Sequence, residues 1–477
     1  MVQVLKGNIV QAPALGELQI TEQGYLVMED GVIRGVYDRL PLEYATAPLV
    51  DYGQALVMQS FADMHLHAPQ YPMLGMGMDL PLLDWLNAYA FPTEARFADT
   101  GYAREIYSRL ARELIANGTT RVCMFSSLHT DATLILMEEL ERAGVTGYVG
   151  KVNMDRNAPD SLREDTDASL ADTEELICRS RAELKHVGYI LTPRFVPSTT
   201  ARLMDGLGRL GERYGLPVQS HLSENRSEIA WVGQLHPECA SYTEVYRDYG
   251  LLRRGCTIMA HAVHLTGREE AILREEGVTL AHCAQSNTNL SSGVMPLRRS
   301  LSEGLRCCVA SDVAGGHAAA MNRHVAATVG LSKLRALDHP EERLLSLPEA
   351  LYLATKGPGE FFGKVGSFEP GYDFDALVVA LVVALGLVYF VLASQFESFL
   401  MPVIVMMILP VAFTGALFAL PVTGRDLSMI SLVALIMLAG TVVNASIILV
   451  DYIRQRRERG ESRQEAILHA CPLRIRP

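Results

Sequence analysis

One pattern constrains this chain more than any other. Eight short apolar runs recur along it, each closed by a polar residue and most followed by a helix-like stretch. The runs are residues 55–63, 119–125, 145–152, 187–192, 216–219, 256–260, 278–281 and 306–310. Between them lie segments of helical periodicity, such as 102–116, 132–143, 172–184 and 268–275. Continuous rather than alternating apolar runs suit strands buried on both faces, as in parallel sheets. Eight strand–helix units over residues 58–375 therefore predict an α/β fold, a (β/α)8 barrel. The first 57 residues read differently. Short strands at 24–28 and 32–37 flank a turn, Glu29-Asp30-Gly31, so a small β domain is predicted there.

The ends of the runs carry the chemistry. Strand one ends in His65-Leu-His67, strand four in Arg194, strand five in His221, strand six in His261, strand seven in His282 and strand eight in Asp312. A barrel delivers the C-terminal ends of its strands to one shared face, where barrel enzymes keep their sites. The chain has 13 histidines, so five at strand ends are hard to ascribe to packing. His65 and His67 are two apart on a strand and share a side. Both rings can then reach one metal, with His221 and Asp312 arriving from other strand ends. Three imidazole nitrogens and one carboxylate oxygen suit Zn2+ with a position left open for water. His282 reads as structural and stays outside the metal set.

Charge and cysteine usage exclude other classes. The formal charge is −12, and residues 1–375 hold 34 basic against 48 acidic side chains. That balance argues against a nucleic-acid partner. The eight cysteines form no CxxC and read as buried free thiols of a reducing compartment. No H-x-E with P-C-x-x-C is present, which excludes the small zinc deaminase fold. The first residues lack a signal peptide's basic start and apolar stretch, so the front part is expected in the cytosol.

The order HxH, strand-end His, strand-end His, Ser-Asp resembles the amidohydrolase superfamily of metal-dependent barrel hydrolases. Local segments resemble its guanine deaminase family: His65-Leu-His-Ala-Pro-Gln-Tyr71, Phe91-Pro-Thr-Glu94, Thr192-Pro-Arg-Phe195, Gln219-Ser-His-Leu-Ser-Glu-Asn225 and Ser311-Asp-Val-Ala-Gly-Gly316. The resemblance runs over about residues 1–378. It implies one zinc ion held by His65, His67, His221 and Asp312. It implies that Glu224, His261 and Asp312 are catalytic: Glu224 shuttles a proton, His261 orients the nucleophile, and Asp312 accepts a proton. Gln70, Arg194 and Phe195 would hold guanine, converted to xanthine and ammonia. The residue-level alternatives are another aminopurine or heterocycle as substrate, or a transporter fragment with an inactive front. A homodimer through the barrel is compatible with this reading. The chain departs from the family at Gln59-Ser60, where Pro-Gly is usual, and at Ala284, where Pro is usual. Altered turns are expected there. Past Val378 the strands that complete the small β domain are expected to be missing.

The tail is a different kind of chain. Residues 376–450 hold three charges, Glu397, Arg425 and Asp426. Stretches 376–393, 399–422 and 428–450 are long enough, the first marginally, to predict two to three transmembrane helices over 376–477. Residues 388–399, 442–452 and 474–477 resemble part of a resistance-nodulation-division efflux transporter. Seven arginines follow the third stretch and favour a cytoplasmic end, which with three spans puts residue 375 on the other side. The catalytic part is cytoplasmic by family resemblance and the tail integral to the membrane. These two addresses conflict, as in a chimera joined near residues 377–385.

Overall fold

The computed structural model describes residues 1–379 and, further on, residues 414, 452, 453, 456, 461, 462, 464, 465 and 467. The chain divides into two compact units: Met1–Asp51 with Met58–Leu377, and Tyr52–Val57 with Val378–Pro477.

Strands β1 (Val2–Gln11), β2 (Gln19–Glu29) and β3 (Val32–Tyr37) form an antiparallel meander. Glu29 pairs with Val32, so Asp30 and Gly31 make a two-residue loop, with φ of 50° and 79°. Positive φ at both positions matches the twist of the flanking strands, and Asp-Gly adopts it at low cost. The next strand is β4 (Leu49–Gln59).

The barrel starts at β5 (Phe61–His67). It continues through β6 (Thr119–Phe125), β7 (Thr146–Gly150), the short β8 (Val152–Asn153), β9 (Val187–Tyr189), the short β10 (Thr192–Pro193), β11 (Val218–Leu222), β12 (Thr257–His261), β13 (Thr279–His282) and β14 (Arg306–Val309). Besides a short parallel pair of β8 and β10, two four-stranded parallel sheets result, ordered β5-β6-β7-β9 and β11-β12-β13-β14. They join where the Gln219 N–H donates to the Leu191 carbonyl at 2.9 Å. The ring closes where Asp312 N–H donates to the His65 carbonyl at 2.8 Å and His67 N–H to the Val313 carbonyl at 2.9 Å. Closure leaves no exposed barrel edge. It also brings the two ends of the metal-site sequence, 65–67 and 312, side by side. Ala62, Cys123, Ala260, Ala281, Cys308 and Ala310 belong to one buried cluster. These residues come from around the ring, so the cluster lies inside it, where small side chains fit the narrow interior.

Several boundaries differ from expectation. The run 55–63 is two elements: β4 ends at Gln59 and the barrel strand starts at Phe61. The polar pair Gln59-Ser60, where an altered turn is expected, falls at that change. Gln59 makes the joint by side-chain bonding, accepting from Ala12 N–H at 2.8 Å and donating to the Gly366 carbonyl. The run 216–219 shifts to β11, which places His221 within the strand. Cys123, Cys283, Cys307 and Cys308 are buried, but Cys178 and Cys256 are exposed, against the expectation of buried thiols.

Residues 366–375 fasten the small sheet to the barrel. Ile33 N–H donates to the Tyr372 carbonyl at 2.8 Å, and Phe368 N–H to Gln11 Oε1 at 2.9 Å. Asp375 accepts from Thr120 Oγ1 at 2.5 Å and lies 3.1 Å from Arg121. A further strand follows, β15 (Ala376–Val379). This corrects two expectations. A strand is present where none was expected, and residues 376–379 are not the start of a helix. Their aliphatic β-branched composition suits a strand as well as a membrane helix. The rest of the predicted spans, 380–393, 399–422 and 428–450, lies outside the described residues except residue 414. No helix among the described residues is long and apolar enough to cross a membrane.

Candidate active site

His65 and His67 leave β5 fully buried, and His221 arrives from β11 beside them. His67 Nε2 and His221 Nε2 stand 3.1 Å apart. His65 Nε2 lies 3.2 Å and His67 Nε2 3.6 Å from Asp312 Oδ1. The donor atoms of His65, His67 and His221 all lie within 4.8 Å of one another, as do those of His65, His261, Cys283 and Asp312. The expected set is therefore brought together, with Cys283 beside it.

Strand ends bend to make this possible. Ser223, His261, Ala262 and Asp312 have φ of 48°, 73°, 48° and 48°. Left-handed backbone at non-glycine residues is unfavourable and needs support from its surroundings. Support comes from Ala262 N–H to the Leu222 carbonyl at 2.9 Å and Val263 N–H to the Ser223 carbonyl at 3.1 Å.

Tautomers follow from the neighbours. His221 Nδ1 sits 2.6 Å from the Arg194 carbonyl, which can only accept, so the proton is on Nδ1 and Nε2 presents a lone pair. His65 Nε2 is buried without a hydrogen-bond partner. Burial lowers His65 from its usual range and, with the mutual repulsion of the rings, puts His67 and His221 well below it. Burial also opposes the charge on Asp312, but the surrounding histidines outweigh it and hold the carboxyl well below the usual range. Neutral imidazoles with lone pairs converging on a carboxylate, one of them an orphaned buried nitrogen, fit a divalent cation.

Beside this cluster lies a buried carboxyl–imidazole pair, Glu224 and His261. Glu224 Oε2 is 3.4 Å from His261 Nε2, and Glu224 Oε1 accepts from Ser292 Oγ at 2.8 Å. Burial pushes Glu224 up to about 7. Burial alone would lower His261, but Glu224 and Asp312 outweigh it and raise the ring. His261 Nδ1 is 2.8 Å from Asn287 Oδ1, which leaves Nε2 facing Glu224 and, at 3.8 Å, Asp312 Oδ2. A carboxyl near neutrality can both take and return a proton.

The pocket over these groups is walled by Leu82, Trp85, Leu86 and Leu290 and floored by His67, His221 and Asp312. Gln70, Arg194 and Phe195 also line it, as the sequence led us to expect. The Phe195 carbonyl accepts from Ser198 N–H at 3.1 Å, so its N–H is the backbone group suited to a ligand. His282 is buried but belongs to neither donor cluster.

Sequence reading missed Glu94, Asn287, Ser292 and Cys283. Glu94 accepts from Gln70 at 2.8 Å and from both Arg194 Nη atoms at 2.5 and 2.9 Å. The acid that pairs with Arg194 is buried rather than at the surface. The segment Phe91-Pro-Thr-Glu94 was the available signal, but no spacing rule links it to residue 194.

The amidohydrolase family profile matches residues 56–409, and the AcrB/AcrD/AcrF family profile matches residues 372–477. A guanine deaminase of Dictyostelium discoideum is 34% identical over 400 residues, 80% of this chain and 89% of that protein. The guanine deaminase of Rattus norvegicus is 40% identical over 327 residues, 68% of this chain and 72% of its own length. Among solved structures, guanine deaminase from C. acetobutylicum with guanine bound in its active site is 44% identical. Its TM-score is 0.79, covering 80% of this chain and 92% of that one.

Proposed function

Since the chain belongs to the amidohydrolase family, and within it to the guanine deaminases, we propose that it hydrolyses guanine to xanthine and ammonia. The observation that carries this reading is that Glu224 and His261 line one pocket together with Gln70, Arg194 and the donor residues His67, His221 and Asp312.

His65, His67, His221 and Asp312 would hold one zinc ion. When bound, it makes water acidic enough to react near neutral pH. Glu224, facing the reacting centre, would take one proton from the attacking water and deliver it to a ring nitrogen of guanine. His261 keeps its Nε2 toward the reacting centre because Asn287 holds Nδ1. Asp312 divides its work: Oδ1 faces His65 and His67, while Oδ2 faces His261 and receives a proton. Attack is at the amino-bearing carbon; the water's second proton, taken by Asp312, passes to the amino group, which leaves as ammonia as the new carbonyl forms. Arg194 donates to the purine carbonyl, for which a guanidinium is a good partner. Gln70 and the Phe195 N–H hold the adjoining edge.

The assay is direct. The purified full chain, with zinc measured by elemental analysis, is expected to release equimolar xanthine and ammonia from guanine. Release from adenine or a triazine but not from guanine would transfer the assignment to another heterocycle.

The overlap of the two family matches, 56–409 and 372–477, supports a chain joined from two parents. The deaminase part then works in the cytoplasm, and the tail is a membrane-inserted fragment of an efflux transporter. A genomic DNA read crossing codons 370–390 tests the join. A continuous read into the tail makes the fusion a real gene, and two separate contexts make it an assembly product.

A further inference from the structure

We propose that Glu94 is a positioning residue that sets which purines this site accepts, by fixing the hydrogen-bond polarity of both Gln70 and Arg194. The inference rests on the guanine reading above and adds a residue to it.

The geometry is a closed buried network. Glu94 and Arg194 are 1% and 2% exposed, and Gln70 is 2% exposed. Glu94 Oε2 takes Arg194 Nη1 at 2.5 Å, while Glu94 Oε1 takes Arg194 Nη2 at 2.9 Å and Gln70 Nε2 at 2.8 Å. A two-point carboxylate fork locks the guanidinium plane. The Arg194 guanidinium carbon lies 5.0 Å from the centre of the Phe91 ring, which holds the same plane from another side. Gln70 is fixed just as firmly. Its Nε2 must donate to Glu94, and its Oε1 accepts from Ala314 N–H at 3.1 Å. Without the carboxylate only the Ala314 N–H would hold the amide in this sense, leaving its Nε2 unanchored.

Glu94 therefore acts on the ligand through its neighbours. It keeps Arg194 as an aimed pair of donors and Gln70 in one orientation. The aimed donors of Arg194 serve a ligand that presents a ring carbonyl, while Gln70 meets the adjoining edge. A purine with hydrogen at that carbon gains nothing from an aimed Arg194. A site built to bond a polar group discriminates strongly against analogues lacking it. Specificity for the 6-oxo group should then depend on Glu94, although Glu94 is absent from the lining of the pocket.

The test compares guanine with 2-aminopurine, which keeps the 2-amino group and lacks the oxygen. Glu94→Gln and Glu94→Asp are measured in the full-length zinc enzyme, with deamination kinetics for guanine and inhibition of that reaction by 2-aminopurine. The expected result is a rise of about tenfold or more in KM for guanine, a smaller change in kcat, and a distinctly smaller rise in the inhibition constant of 2-aminopurine, which keeps only the edge that Gln70 meets. If Glu94→Gln fails to fold, Glu94→Asp decides, since it keeps the charge and shortens the reach to Gln70. Equal weakening of both purines, or unchanged KM in a folded variant, overturns the proposal. Failure of the parent enzyme to act on guanine would instead refute the reading beneath it.

Discussion

Glu224→Gln is expected to lower kcat for guanine by about 10²–10⁴-fold, with KM and zinc content nearly unchanged. The amide matches the carboxylate in shape and can still accept from Ser292 Oγ, now 2.8 Å from Oε1. It cannot carry a proton. Steady-state kinetics with zinc analysis reads the result, and a kcat close to that of the parent would remove Glu224 from proton transfer. A second readout comes from stability. Burial pushes the folded-state Glu224 up to about 7, above its ordinary 4.5. Between those values the native chain keeps a proton that the unfolded chain has shed. Stability is thus fully present below about 4.5 and falls as pH rises through about 7. The loss is on the order of 3 kcal/mol. Glu224→Gln removes it, so the metal-free variant should melt above the metal-free parent at pH 8. Calorimetry of the two stripped proteins would show an equal or lower melting temperature if the carboxylate were not strained by burial.

Removing the metal is expected to abolish turnover, and so is His221→Ala, which deletes a donor facing His67 at 3.1 Å. Re-adding zinc should restore the stripped parent and not the variant. The pH behaviour follows from the rings. His65, His67 and His221 are held below their ordinary 6.5 by burial, the last two well below. Protons compete for a ligand nitrogen only when pH falls below that ligand's own pKa in the fold. Zinc retention should therefore persist below about 6.5, where an exposed histidine site would already be losing it. Dialysis against a chelator across pH 5–8 measures this. Loss of zinc with a midpoint near 6.5 would mean that the rings are solvated.

Much of the barrel was legible because its signal is local and repeated. An apolar run, a polar terminus and a periodic helix recur eight times, and parallel pairing with helical crossovers is the usual way to bury such runs. The HxH pair was legible because strand geometry alone puts residues two apart on one side. Less legible was the run 55–63, read as one strand although β4 gives way to β5 at the polar pair Gln59-Ser60. Residues 376–379 failed for a related reason: Ala-Leu-Val-Val has the composition of both a strand and a membrane span, and pairing decides between them.

The sequence by itself determined the kinds of group available and their order along the strands: imidazoles at 65, 67, 221 and 261, and carboxylates at 224 and 312. Tertiary structure alone decided their states and partners. Glu94 meets Arg194 across 100 residues, and Ser311 N–H meets Asp63 across 248. Such contacts depend on the ring closing, which no window of sequence contains. The shifts of Glu224 and the histidines likewise arise from loss of water and from charges a few ångströms away. Both are properties of assembled space rather than of residue type.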